Sequence, residues 1–196
     1  LVSAFQINRP AYDWQHKDFR IEDRNDLVIY ELWIRNFTEE GTLKAAMDKL
    51  DYLQTLGVNV IELMPVQEFD SRNSWGYDPC LYFALDKDYG TREDYKTFID
   101  ECHKRGLACH GWINPYRYGK RGGYDWTGND DTTKLNYKYT HPDWLLYYKN
   151  DIYLDPARPE VRQRIKEVVG DIINSYDVDG ILMDDYFYPY GGTTNQ

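Results

Sequence analysis

At 196 residues the chain is long enough for one domain with a sizeable core, and its 42% hydrophobic content argues against disorder. A formal net charge of −10 repels nucleic acid and anionic lipid, both of which are bound through Lys/Arg patches, so a neutral ligand is expected. No run reaches the roughly 18 to 20 apolar residues of a membrane span, and Leu1 opens without a basic-then-apolar signal segment, like the continuation of a longer chain.

Taken in chain order, residues 1–26 read as an N-terminal arm, and residues 27–196 carry a repeated grammar. Leu27 to Ile34, LVIYELWI, is a run of β-formers expected to be a buried strand. Thr42 to Leu56 spaces Leu43, Met47, Leu50, Leu53 and Leu56 as one helical face; Gly57 then marks a turn into the apolar strand Val58 to Leu63. Thr91 to Arg105 repeats the pattern with Tyr95, Phe98, Ile99 and Cys102, followed by Gly106 and a strand over Leu107 to Ile113. Pro159 to Tyr176 repeats it again with Val161, Ile165, Val168, Val169 and Ile172, before Val178 to Met183. Of the three cysteines, Cys80, Cys102 and Cys109, not all can pair within the chain and none has metal-type spacing, so all three read as free thiols, the last two as buried packing. No cofactor or metal is expected.

Strict alternation of strands and helices predicts an α/β fold with a parallel sheet, either a closed barrel or an open doubly wound sheet. The connections separate the two. RNFTEEGT after the first strand lacks the Gly-rich phosphate turn usual in a Rossmann-type sheet, whereas the segments Met64 to Gly90 and Asn114 to Arg158 are long and aromatic-rich, as in barrel enzymes that build their sites on such loops. A full barrel needs eight strands and typically about 250 residues. The expectation is therefore a partial TIM (β/α)8 barrel of about four β/α units: a fragment, or a half-barrel completed as a homodimer.

From about Tyr12 to Arg105 the phrases LVIYELWIRNFTEEGT, LDYLQTLGVNVIELMPVQEF and NSWGYDPCLYFALDKDYGTREDYKTFIDECHKRG resemble glycoside hydrolase family 13, the α-amylase family. Two hallmarks of that family are missing further on. Its third strand ends in Asp and continues to Asn-His, where this chain has Trp112 and Arg117; its fourth reads Gly-x-Arg-x-Asp, where this chain has Leu182 at the Arg position. From about Leu107 onward, HGWINPYR, HPDWLLYY and IYLDPARPEVRQRIKEVVGDIINSYDVDGILMDDYFYPYGG resemble the glycosyl hydrolase-like 10 domain family of secreted bacterial barrel proteins. The two resemblances meet near residue 107, which implies a hybrid of two barrels, natural or engineered, with one divergent family as the alternative. The second resemblance also implies a secreted or periplasmic location.

The candidate site residues follow from these phrases. Asp184 and Asp185 directly follow the strand GILM, and because neighbouring strand residues point to opposite faces, only one of them can face a barrel axis. Resemblance to the α-amylase pattern gives Asp184 the nucleophile position of a retaining mechanism and leaves Asp185 in support; the general acid and third carboxylate of that family come from strands five and seven. Tyr77 in SWGYDP matches the Tyr that stacks on the sugar at the cleavage point. Trp112, Asn114 and Arg117 line the exit of the third strand, where Asn and Arg could grip sugar hydroxyls or an anionic sugar, or Arg117 could pair with Asp184 or Asp185. Glu31 lies within the first strand with Arg35 as its expected partner, and Glu62 and Glu68 flank the second. GNDDTT at 128–133 has oxygen ligands but not the spacing of a Ca²⁺ loop, and reads as a solvated loop.

The activity implied is polysaccharide hydrolysis, on an α-glucan by the first resemblance or a cell-wall-type amino-sugar glycan by the second. A non-catalytic scaffold or glycan-binding remnant is the alternative. The expected partner is an oligo- or polysaccharide, with no nucleic acid and no membrane.

Overall fold

The computed structural model describes residues 10–21, 23–69, 74–77, 79–120 and 137–183. In chain order the strands are β1 (Ile29–Leu32), β2 (Val60–Leu63), β3 (Gln67–Phe69), β4 (Pro79–Leu85), β5 (Ala108–Ile113), β6 (Arg117–Lys120), β7 (Leu145–Tyr148), β8 (Asp151–Leu154) and β9 (Gly180–Met183). The helices are α1 (Ile34–Phe37), α2 (Leu43–Met47), α3 (Leu50–Thr55), α4 (Arg92–Lys104), α5 (Tyr137–Thr140) and α6 (Pro159–Ser175).

The four expected strands pair in parallel in the order β1-β2-β5-β9. That order follows the chain without the reversal of a doubly wound sheet. One face of the sheet is apolar and covered. Leu32, Ile61, Leu63 and Cys109 cluster there with Leu43, Ala46, Leu50 and Leu53 of α2 and α3 and with Tyr95, Phe98, Ile99 and Cys102 of α4, all of them buried. Each such large side chain removed from water contributes about 1.5–3 kcal/mol, which makes this layer the main stabilising one. Cys102 and Cys109 are free thiols within it, and burial pushes the Cys102 thiol well above its ordinary range.

Local chemistry sets the helix ends. Thr91 caps α4 by accepting from Asp94 N, while the Asp94 carboxylate accepts from Thr91 N at 2.9 Å and from Thr91 Oγ1 at 2.8 Å, and these last two bonds hold Asp94 below the usual carboxylate range. Gly57 and Gly106, at φ 82° and 72°, make the left-handed turns from α3 to β2 and from α4 to β5.

The structure corrects several details. The first expected helix is divided at Asp48–Lys49, where Asp48 N and Lys49 N donate to Ala45 O and Ala46 O, a three-residue step that tightens the turn. The first strand is not buried on both sides: Ile29 is 49% exposed, because β1 pairs only with β2 among the described residues and its second face is uncovered. The two long connections also hold regular structure. β3 and β4 form an antiparallel pair in the first, and β6-β8-β7 a small antiparallel sheet in the second. That small sheet has its own core of Tyr118, Leu145, Ile152 and Leu154, which seats Val161 and so the start of α6.

Polar ties fix the layers to one another. His103 Nε2 donates to Asp179 Oδ2 at 2.9 Å, and the same oxygen accepts from Cys109 N at 2.8 Å, so one carboxylate joins α4, β5 and the turn into β9. On the arm, His16 N donates to buried Asp100 of α4 at 2.9 Å, and Phe19 stacks on the His103 ring at 4.8 Å.

These ties differ in strength. Asp179→Ala strands a buried ring nitrogen and a buried backbone N–H and is expected to lower stability by roughly 2–3 kcal/mol, against about 1 kcal/mol for the exposed cap change Thr91→Ala. Urea denaturation of the two variants checks the order.

Candidate functional site

Parallel pairing in register puts Glu31 beside Glu62, Glu62 beside His110, and His110 beside Gly180. Residues on one rung of such a sheet share a face, and the apolar neighbours Leu32, Leu63 and Cys109 belong to the helix-covered face. The opposite, inner face therefore carries a polar rung of two carboxylates and an imidazole. One rung nearer the strands' C-terminal ends, Trp112 pairs with Leu182.

Gly180 is required by the imidazole. A Cβ there would lie 2.8 Å from His110 Cδ2 and Nε2, so the ring crosses the glycine that begins β9. Burial lowers the His110 pKa below its ordinary 6.5, with Asp179 acting weakly the other way.

Above this rung stands a short arch, residues 74–77, held by two local devices. Gly76 N donates to Ser74 Oγ at 3.0 Å, and Gly76 takes φ 93° so close to the chain after β2 that a Cβ would meet Pro65 O at 2.8 Å. The arch delivers Tyr77 to the inner face. Its hydroxyl donates to Glu31 Oε1 at 3.2 Å, and its ring meets Trp112 edge-on at 5.1 Å and 83°. Trp112 is 7% exposed, and its indole Nε1 is buried with no hydrogen-bond partner among the described residues. Two candidate residues distant in sequence, Tyr77 on the arch and Trp112 on β5, thus form one aromatic corner.

The other sequence-derived residues are placed differently. Asn114 directly follows β5, its Oδ1 accepting from Tyr116 N and Arg117 N at 3.2 and 2.9 Å, which commits that oxygen to the turn into β6. Arg117 is the first residue of β6 and pairs with Tyr153 of β8. Asp184, Asp185 and the GNDDTT stretch lie outside the described residues. Glu31 does not pair with Arg35 as expected. The Arg35 guanidinium sits 5.9 Å from the Trp33 ring centroid instead, because Arg35 lies in α1 rather than continuing the strand, and Glu31 takes the Tyr77 hydroxyl. Glu68 is structural, bonded to Lys87 through both the backbone N–H and the ammonium.

Sequence reading missed the rung itself. A signal was present: Glu31, Glu62 and His110 are each the third residue of their strands, a polar position recurring at one offset in otherwise apolar runs. Among the described residues no group of three His, Cys, Asp or Glu side chains could hold a metal ion, and no helix is long and apolar enough to cross a membrane.

The sequence profile of the Glycosyl hydrolase-like 10 family matches residues 33–195. The malto-oligosyltrehalose trehalohydrolase of Saccharolobus solfataricus is 36% identical over 183 residues, 91% of this chain and 31% of the relative. Glycosyl hydrolase YngK of Bacillus subtilis is 33% identical over 147 residues, 72% of this chain and 27% of that protein. The crystal structure of a putative α-amylase from Salmonella typhimurium superposes with a TM-score of 0.71 at 30% identity, covering 92% of this chain and 30% of that one. The chain thus spans about a third of the length of these relatives. Both resemblances read from the sequence are present, and the family match runs without interruption through residue 107.

The lowered His110 pKa sets a pH dependence. Because the fold favours the neutral ring, its contribution is fully present above the unfolded value near 6.5 and is lost as pH falls below it. Unfolding free energies from pH 8 to about 5 are expected to decline across this range, and His110→Gln to remove part of that slope.

Proposed function

Because the chain belongs to the glycosyl hydrolase-like 10 family, we propose that it forms part of the catalytic barrel of a glycoside hydrolase cleaving an α-glucan-type polysaccharide. The observation that carries this reading is the aromatic corner of Tyr77 and Trp112, fixed by Glu31 beside the C-terminal ends of parallel strands in barrel order. Such a corner offers a rigid apolar face for the C–H side of a pyranose ring, and sites on parallel barrels form at this end. The likeness to trehalohydrolases and to an α-amylase structure supports an α-glucan as substrate. Exposure of Ile173 at 54% and Met183 at 43%, on α6 and β9, supports reading the sheet as a segment of a larger (β/α)8 barrel.

In the proposed mechanism Asp184 is the nucleophile. It follows Leu182 by two residues, the spacing that keeps strand side chains on one face, and Leu182 shares a rung with Trp112. Its carboxylate attacks the anomeric carbon as the glycosidic oxygen leaves with a proton from a general acid elsewhere in the barrel. Water, deprotonated by that same group, then cleaves the glycosyl ester and restores the carboxylate, so the anomeric configuration is retained. Strand alternation leaves Asp185 a supporting acid in this proposal, not a catalytic one. Tyr77 stacks on the sugar, the Trp112 indole N–H meets a sugar oxygen, and Asn114 and Arg117 supply further donors.

A binding-only reading has one observation in its favour. Trp112 and Leu182 occupy the positions where the α-amylase pattern carries Asp and Arg, and the register makes them neighbours, so the rung beside Asp184 is uncharged.

Asp184→Asn decides between these readings. In a form of the protein that hydrolyses maltooligosaccharides, this change is expected to lower kcat at least about a thousandfold with substrate binding retained, and Asp185→Asn to lower it far less. Full activity in Asp184→Asn would remove it as nucleophile, and maltooligosaccharide binding without turnover in every form would favour the binding-only reading.

A further inference from the structure

We propose that Trp75 and Trp33, with Arg35, form a second sugar-binding subsite that takes the next ring of a neutral oligosaccharide whose first ring lies on Tyr77. This rests on the reading of Tyr77 as a sugar platform. Trp75 lies on the same arch, two residues before Tyr77, and is 61% exposed.

A single exposed aromatic needs no explanation. Trp75, however, is both exposed and held. The arch that bears it is fixed by the Ser74–Gly76 bond and by the close approach of Gly76 to Pro65. Its ring packs edge-on to Trp33 at 6.3 Å and 63°, and Trp33 is anchored in turn by its Nε1 donating to the buried Tyr89 hydroxyl at 3.2 Å. Burial pushes the Tyr89 pKa up to about 12, so that hydroxyl stays neutral at any working pH. The Arg35 guanidinium lies over the Trp33 ring, 5.9 Å from its centroid, and adds a hydrogen-bond donor beside that ring.

A ring already immobilised before binding loses little entropy when a ligand stacks on it, which is what a subsite requires. Gly76 lies between the two aromatic residues of the arch, sending Tyr77 to Glu31 and Trp112 and Trp75 to Trp33. One short segment thus presents two aromatic stations to one chain of sugars. The net charge of −10 favours a neutral ligand over an anionic one.

The test compares a long and a short ligand. Trp75→Ala is expected to weaken maltoheptaose binding about fivefold to tenfold in calorimetry, to leave glucose contact unchanged in saturation-transfer NMR, and Trp75→Phe to restore most of the loss. Tyr77→Ala is expected to weaken both ligands. If the wild-type protein binds neither sugar, the reading of the Tyr77 corner falls and the subsite with it. If the wild-type protein binds both and Trp75→Ala holds maltoheptaose as well as it does, or loses glucose equally, the subsite alone is overturned.

Discussion

Register between parallel strands is the constraint on which the rest of this molecule depends. A slip of one residue would exchange the two faces of the sheet, putting Leu32, Leu63 and Cys109 toward the open side and Glu31, Glu62 and His110 against the helices. Burying those polar groups beneath α2, α3 and α4 without partners would cost several kcal/mol. The apolar layer therefore holds the polar rung in place, and Gly180 completes the arrangement by admitting the His110 ring where any side chain would collide.

The candidate site grows out of that rung. Glu31 is useful because it stands on the inner face at the height where the arch descends, so its carboxylate fixes the Tyr77 hydroxyl while Trp112 on the third parallel strand meets the ring. The same pairing accounts for two departures from the α-amylase pattern together. Trp112 and Leu182 replace a carboxylate and a guanidinium on neighbouring strands, so neither replacement leaves an unpaired buried charge behind.

Much of the fold was legible because it rests on periodicity. The faces of α4 and α6, the turns at Gly57 and Gly106 and all four parallel strands follow from apolar spacing and turn chemistry. The strands of the long connections were not, since LLYYKNDIYL lacks clean alternation and its hairpin turns at Lys149, with φ 50°, rather than at a glycine. For the site, resemblance pointed to Tyr77 and Trp112 singly, but their contact joins residues 35 positions apart and depends on strand register, which no local pattern displays. Glu31 was assigned to Arg35 by proximity in sequence. The chain's departure into α1 after Trp33 carries that arginine onto an aromatic ring instead.

The expected family junction near residue 107 falls between α4 and β5, where Gly106 turns the chain and Leu107 enters the core below it. Packing is continuous there: Tyr95, Phe98 and Cys102 before the turn share one cluster with Leu107 and Cys109 after it. Together with a family match spanning both sides, this favours one divergent family over a hybrid. The most direct test is a crystal structure with a bound maltooligosaccharide. A pyranose ring stacked on Tyr77, with an oxygen within hydrogen-bond reach of Trp112 Nε1, is the result expected; a sugar bound only on the helical outer face, with the Tyr77 corner unoccupied, would contradict the account.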